Sequence, residues 1–144
     1  MRKAKLQVWR PLNLLRHRIF SHNVSFTEKG LIISLKDAHG SEVDIIYNQA
    51  SDIIGDYVWN FYYANDILQS TFLAELMDEA IQHEDFSAND ELVFYKMMNS
   101  PAINKLKQAG FADDTVKLEH HLYPVSDGIF EVVSNYEPEF RHKK

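Results

Sequence analysis

Hydrophobic and polar positions alternate along much of the chain, and this period of two predicts β-strands. The runs 24–26, 31–36 and 43–47 carry an apolar residue at every second position. Successive side chains of a strand point to opposite faces of a sheet, so each run has one face suited to a core. The segments 27–30 and 37–40 between these runs each end in glycine, which predicts two antiparallel hairpins.

Further strands are predicted elsewhere in the chain. DYVWNFYY (residues 56–63) is β-branched and aromatic on both faces, which favours a central strand over an edge strand facing water. KLQVW (5–9) and ELVFYKM (91–97) each predict a short strand. The runs 115–125 and 128–135 alternate on either side of a Ser-Asp-Gly turn signal and predict a final hairpin.

Residues 66–83 change to the period of a helix. Their apolar residues form one stripe at helical spacing, which indicates an amphipathic helix with a single buried face. Acidic residues occupy the other side of this helix or follow it directly, and we expect them to face solvent: Glu75, Asp78, Glu79, Glu84 and Asp85.

Two shorter helices are also predicted. Ser100 is a good N-cap, Pro101 suits the first helical position, and Gly110 suits a left-handed helix terminus. Near the start of the chain, Pro11 and the apolar residues that follow at helical spacing predict a helix ending near residues 21–23.

These elements together predict a single α+β domain over residues 1–144. We expect an antiparallel β-sheet of about five to seven strands with two or three helices. A chain of this length can bury a sizeable core, and no repeat or flexible linker divides it. Residues 1–23 are interpreted as a basic N-terminal segment and residues 138–144 as a flexible tail.

Charge is distributed in blocks along the chain. Residues 1–36 carry eight lysines or arginines and one acid, whereas residues 37–95 carry thirteen acids and neither lysine nor arginine. The net charge of the whole protein is −6. Such a block can attract a partner of opposite charge. Alternatively, the basic first third lies against the acidic middle within the fold.

Several classes of function are disfavoured by composition. The absence of cysteine excludes disulfides, thiolate nucleophiles and Cys-ligated metals. Neither of the glycine-rich phosphate-binding motifs occurs, and we expect no cofactor. An apolar run long enough for a signal peptide or a membrane span is absent, so we expect a soluble, cytoplasmic protein. The acidic balance argues against nucleic acid as a partner.

The sequence Glu119-His120-His121 most resembles a chemical site. On a strand, adjacent histidines point to opposite faces, so the two histidines cannot share a metal ion, whereas Glu119 and His121 can. A metal site needs three or four converging ligands, and these two residues supply only part of one. The alternation therefore predicts one histidine facing the core and the other facing out. No serine stands at a recognised spacing from a histidine, which disfavours nucleophilic catalysis.

The last third of the chain resembles a family of small bacterial proteins with a domain of unknown function. The similarity covers residues 92–140 and rests on FYKMMNSPAINKLKQAGF followed by LEHHLYPVSDGIFEVVSNYEPEF. Some of these proteins occur in toxin–immunity neighbourhoods. The resemblance implies an accessory or immunity-like role and transfers no catalytic residues.

We therefore expect a non-enzymatic protein that binds a basic protein partner through the acidic region between Asp37 and Glu91. The binding residues expected for this role are Asp78, Glu79, Glu84, Asp85, Tyr62 and Tyr63. The alternative is a small-ligand-binding protein or a metal-dependent enzyme with its site near Glu119 and His121. The alternative requires a concave pocket at the site, whereas the first hypothesis requires an exposed acidic surface.

Overall fold

Nine strands and two helices form the part of the chain that the computed structural model describes, namely residues 3–11, 19–50, 56–65, 71–82, 94–125 and 128–143. In chain order these elements are β1 (Lys5–Trp9), β2 (Ile19–Thr27), β3 (Gly30–Asp37), β4 (Glu42–Tyr47), β5 (Asn60–Asn65), α1 (Thr71–Gln82), β6 (Phe94–Met98), α2 (Pro101–Gln108), β7 (Glu119–Val125), β8 (Gly128–Ser134) and β9 (Glu139–Lys143).

The strands form two antiparallel sheets. The first has the order β1-β6-β7-β8-β5 and the second the order β2-β3-β4-β9. The α+β class and the antiparallel pairing are confirmed in outline, but the expected single sheet of five to seven strands is wrong. Alternation within a strand fixes which face is apolar, and it does not say which strands share a sheet.

The main core lies between the two sheets. The inward side chains of β3 and β4 pack against those of β6, β7 and β8, as the alternation predicts. The buried residues of this core are Leu31, Ile33, Leu35, Val43, Ile45, Tyr47, Val58, Phe94, Tyr123, Phe130 and Val132.

Helix α1 covers part of the outer face of the five-stranded sheet. Leu73 and Leu76 of this helix pack with Leu6, Leu122 and Ile129 in a second apolar cluster. Helix α2 differs, because none of its residues is buried. The outer face of the sheet is therefore well packed under α1 and more open beside α2.

Two predicted turns and the predicted ends of helix α2 are confirmed by the backbone. Gly30 (φ +116°) joins β2 to β3, and an added Cβ there would collide with the carbonyl oxygen of Tyr47. Gly40 (φ +85°) ends the turn before β4. Helix α2 begins after Ser100, whose side chain accepts the Ile103 N–H, and Gly110 (φ +82°) follows its end.

Three other expectations need correction. The helix predicted after Pro11 does not extend to residues 21–23, because β2 begins at Ile19; residues 12–18 lie outside the described residues. Residues 60–65 form β5 at an edge of the five-stranded sheet and not at its centre. The end of the chain, expected to be a tail, forms β9 paired with β4.

Each difference has a physical origin. Helical and strand periods cannot be distinguished over the few residues from 19 to 23, and there pairing with β3 gives a strand. Both faces of β5 meet other side chains, although one edge of the strand has no neighbour among the described strands. Phe140 pairs with Ile45 and packs against the core, which stabilises β9. The charged residues that surround Phe140 along the chain give no indication of this packing.

Candidate functional site

Strand β7 carries the two adjacent histidines on opposite faces of its sheet. This predicted alternation is confirmed, since His121 contacts residues between the sheets and His120 contacts residues on the outer face. The expectation that one of them faces solvent is wrong, because His120 and His121 are only 2% and 0% exposed. The outer face at His120 is covered by the first turn of α2, which the sequence pattern of β7 does not reveal.

The inner histidine belongs to a chain of hydrogen bonds between the sheets. The Nε2 atom of His121 lies 3.0 Å from Glu119 Oε1, and its Nδ1 atom lies 2.8 Å from the Tyr47 hydroxyl. A carboxylate can only accept, so Nε2 donates to Glu119 and Nδ1 accepts the proton of Tyr47. Tyr47 is also bonded to the hydroxyl of Tyr123. The network is therefore satisfied within the core.

Burial controls the ionisation of this inner network. Burial lowers the pKa of His121, although the neighbouring Glu119 opposes that shift. For Glu119 burial acts to raise the pKa, but the hydrogen bond from His121 and the charge of Lys96 outweigh it and lower the pKa. Burial also holds the pKa values of Tyr47 and Tyr123 well above their ordinary value. We infer a neutral imidazole beside an ionised Glu119.

The pair Glu119 and His121 is brought together as expected, but its surroundings are those of a structural site. Lys96 Nζ lies 3.3 Å from Glu119 Oε2, so a lysine already neutralises the carboxylate. Trp9 covers the His121 ring with centroids 4.7 Å apart. Within the described ranges, no three His, Cys, Asp or Glu side chains converge in a group that could hold a metal ion.

The outer histidine forms a second, separate chain of hydrogen bonds. His120 Nε2 lies 2.7 Å from Glu131 Oε1, and His120 Nδ1 lies 2.7 Å from Ser100 Oγ. Glu131 accepts from Nε2, and the hydroxyl of Ser100 is the hydrogen-bond partner of Nδ1. Ser100 Oγ in turn accepts the Ile103 N–H over 3.3 Å as the cap of α2. Serine, histidine and glutamate are all almost completely buried.

Tyr62 continues this outer chain towards solvent. Its hydroxyl is hydrogen bonded to Glu131, and burial together with the charge of Glu131 raises its pKa. The Tyr62 side chain is 40% exposed, so the network that begins at the buried Ser100 ends at the surface. The inner network has no comparable aromatic residue leading out to solvent among its hydrogen-bonding members.

A cleft of about 670 Å³ lies over the outer network. His120 and Glu131 lie at its base, and Tyr62 forms part of its wall. Its other lining residues come from β5, β6, the two helices and the segment after α2, and most of them are apolar: Asn60, Ala64, Leu73, Met97, Pro101, Ala102, Lys105, Leu106, Ala109 and Phe111. A concave apolar surface with a few convergent polar groups is the usual form of a small-molecule site.

The sequence between β6 and α2 explains why this cleft exists. Asn99 adopts the left-handed conformation (φ +56°), which turns the chain sharply out of β6. Ser100 then fixes the first turn of α2 to His120, and Pro101 begins the helix. Helix α2 is held at its N-terminus, while its apolar residues Ala102 and Leu106 remain only half-buried along the cleft.

The binding residues expected from sequence lie in different places. Tyr62 lines the cleft, whereas Tyr63 points to the other face of β5 and packs on Phe130 with ring centroids 4.7 Å apart. Asp78 and Glu79 are exposed on α1. Glu84 and Asp85 lie outside the described residues.

Sequence reasoning missed the association of Ser100, His120 and Glu131. The three residues come from a helix cap and two strands, so no spacing along the chain connects them. One signal was available, namely Glu131 as the single charged residue in the apolar run IFEVV. Because such a run predicts a strand covered on both faces, its one acid should be buried and hydrogen bonded.

Comparison with protein-family models, with curated proteins and with solved structures found no match to this chain. The resemblance of residues 92–140 to small bacterial proteins therefore stays a prediction. No helix within the described residues is long and apolar enough to cross a membrane.

Proposed function

We propose that this protein binds a small molecule in the cleft beside α2. The observation that carries the proposal is a largely apolar cavity of about 670 Å³ with the buried pair His120 and Glu131 at its base. This volume is typical of sites for metabolite-sized and drug-sized ligands. Apolar walls supply affinity through the burial of ligand surface, and the polar base supplies orientation.

The polar base is held in position before any ligand arrives. Ser100 fixes the ring of His120, and His120 fixes one carboxylate oxygen of Glu131. The helix cap fixes Ser100 in turn. A site whose polar groups are already oriented loses less conformational entropy when it binds a ligand.

The proposal moves the ligand site to the opposite face of β7 from the one that the sequence suggested. The Glu119 and His121 side would require a ligand to displace Trp9 and to compete with Lys96 for the carboxylate. On the outer side, His120 and Glu131 already border a cavity. The small-ligand hypothesis is thus retained with different residues.

Fluorescence of Nile red, an uncharged apolar dye, tests the proposal. We expect a saturable increase with the wild-type protein, because the dye becomes strongly fluorescent in apolar cavities. Ala102→Trp fills the cleft from α2 and should abolish most of this increase. Asn104→Trp is the matched control, since Asn104 is exposed on the same helix and does not line the cleft. Equal dye binding by all three proteins would refute the proposal.

A second candidate function is the binding of a basic protein partner in the cytoplasm through the acidic region. The observation in its favour is that Glu75, Asp78 and Glu79 are exposed along α1 in a block of sequence without lysine or arginine. Complementary charge would increase the rate of association and the specificity more than the affinity. An immunity-like or accessory role, as in the bacterial proteins that the last third resembles, would fit such a surface.

Charge reversal tests this second function. Asp78→Lys/Glu79→Lys should abolish salt-sensitive capture of a basic partner from lysate of the native organism and leave folding intact. The control Glu28→Lys/Asp114→Lys changes the net charge equally at two exposed positions outside the acidic block. Equal loss in both variants would indicate a general charge effect, and unchanged capture by the first variant would exclude the α1 surface.

A further inference from the structure

We propose that the ligand of the α2 cleft carries a protonated amine on an apolar body, with the ammonium group bound by Glu131. This inference rests on the proposed function and names its ligand class. It follows from three features of the cleft, which are the free acceptor capacity of Glu131, the aromatic residues near it, and the acidic helix beside it.

Glu131 has acceptor capacity for a ligand. A carboxylate offers about four lone-pair positions, and the hydrogen bonds from His120 and Tyr62 occupy two of them. Glu131 is only 3% exposed and belongs to the lining of the cleft, so an ammonium group at the base of the cleft would lie beside this residue. An ammonium group in the cleft would place its N–H donors against this carboxylate.

The side chains that contact Glu131 are the imidazole of His120 and the phenol of Tyr62, and no lysine or arginine within the described ranges forms an ion pair with it. A buried carboxylate is stabilised most by a cationic partner with hydrogen-bond donors, and a ligand ammonium provides both.

Aromatic rings stand where the rest of the ligand would lie. Tyr62 is 40% exposed and Phe111 is 65% exposed, and both line the cleft. Aromatic faces attract ammonium groups and also bury apolar carbon. A surface phenylalanine as exposed as Phe111 is accounted for if a ligand covers it.

The charge around the cleft favours a cation on approach. Helix α1 contributes Leu73 to the cleft and carries the exposed Asp78 and Glu79 further along the same helix. Lys105 opposes this field, since it also lines the cleft. Because Lys105 is exposed, its ammonium can stay in water while the ligand binds, and solvent screens the repulsion.

Three compounds with the same phenylbutyl body form the test: 4-phenylbutylamine, 4-phenylbutan-1-ol and 4-phenylbutyrate. By isothermal titration calorimetry we expect the amine to bind about tenfold more tightly than the alcohol, the increment of a charge-assisted hydrogen bond. The butyrate should bind most weakly. An amine that binds no better than the alcohol, or a butyrate that binds best, would overturn the inference.

Two substitutions locate the effect. Glu131→Gln removes the charge with little change of shape and should reduce the amine affinity to that of the alcohol. Lys105→Met removes the opposing charge from the cleft and should strengthen amine binding, while Lys107→Met, on the same helix but outside the cleft lining, should not. Circular dichroism checks the fold, and if Glu131→Gln does not fold, the lysine pair decides the question.

The outcomes separate the two levels of the proposal. Dye binding that depends on Ala102 together with no preference for the amine would overturn the ligand class and leave the cleft as a binding site. Failure of dye binding as well as of all three phenylbutyl compounds would overturn the proposed function itself.

Discussion

The two faces of β7 carry similar chemistry in opposite settings. On the inner face, His121 bonds Glu119 and a tyrosine, and on the outer face His120 bonds Glu131 and a serine. Both rings are nearly inaccessible. The rings of the inner network are enclosed between two sheets, and only its end at Glu119 and Lys96 is partly exposed, whereas the outer network borders a cleft of about 670 Å³.

What covers each face accounts for this difference. The four-stranded sheet covers the inner face and contributes Tyr47, while Trp9 and Tyr123 of the same sheet as His121 flank its ring. The outer face beside α2 is covered by a helix that is fixed mainly through its cap. Buried hydrogen bonds stabilise the fold on both faces of β7. Only the outer hydrogen bonds lie beside a cleft in which a ligand could bind.

The largest effect that sharpens this comparison is expected from His121→Ala. The substitution leaves a cavity beside Trp9 and removes the partner of Tyr47 and Glu119, which should reduce the free energy of unfolding by about 3–4 kcal/mol. Urea denaturation measures the change. His142→Ala, at an exposed position of β9, is the control and should change stability by less than about 0.5 kcal/mol. A small loss for His121→Ala would contradict the closed core described for the inner face.

A pH dependence of stability should follow from the inner network. The pKa of His121 is lowered in the folded protein, so as the pH falls the unfolded chain takes up a proton at this histidine first. The free energy of unfolding therefore decreases as the pH drops below 6.5, the ordinary pKa of histidine. The loss is bounded by about 1.4 kcal/mol per pH unit for one proton.

Glu119 acts in the same direction at lower pH. Its folded pKa is also lowered, so its contribution is complete above the ordinary value of 4.5 and is lost as the pH falls through the folded pKa. Denaturation of His121→Gln at pH 7 and pH 5 is the comparison, because this variant cannot take up the proton. If the unfolding free energy of His121→Gln fell between pH 7 and pH 5 as much as that of the wild-type protein, another group would cause the pH dependence.

Ser100→Ala should have a smaller effect, located on the outer face. It removes the cap of α2 and the partner of His120 Nδ1, and we expect a loss of about 1–2 kcal/mol in unfolding free energy. Because Ser100 positions His120 beneath the cleft, binding of Nile red should also weaken. Ser100→Thr keeps the hydroxyl and should restore both properties. An unchanged stability would show that the cap does not hold α2.

Tyr62→Phe should have the smallest effect on stability, about 0.5–1 kcal/mol, since its partly exposed hydroxyl makes one hydrogen bond to Glu131. Thermal unfolding beside Ser100→Ala in the same buffer measures the difference. We expect the hydrogen bonds of the outer network to contribute more to stability near the helix cap than near the surface. A larger loss of stability for Tyr62→Phe than for Ser100→Ala would contradict this order.

The sequence by itself determined much of the local structure. The alternation of residues 31–36 and 43–47, the turn at Gly30, and the cap and terminator of α2 were all predictable, because each depends on a few neighbouring residues. The opposite orientation of His120 and His121 follows from the geometry of any strand. The acidic face of α1 was also predictable, since Asp78 and Glu79 lie opposite its apolar stripe.

Tertiary structure decided everything that depends on which elements meet. The division of nine described strands into two sheets, the edge position of β5 and the strand at Glu139–Lys143 depend on pairings between distant segments. The hydrogen bonds of His120 with Ser100 and with Glu131 join a helix cap to two strands. The spacing of residues along the chain does not predict such contacts, because they depend on how whole faces of strands and helices pack together and not on neighbouring residues.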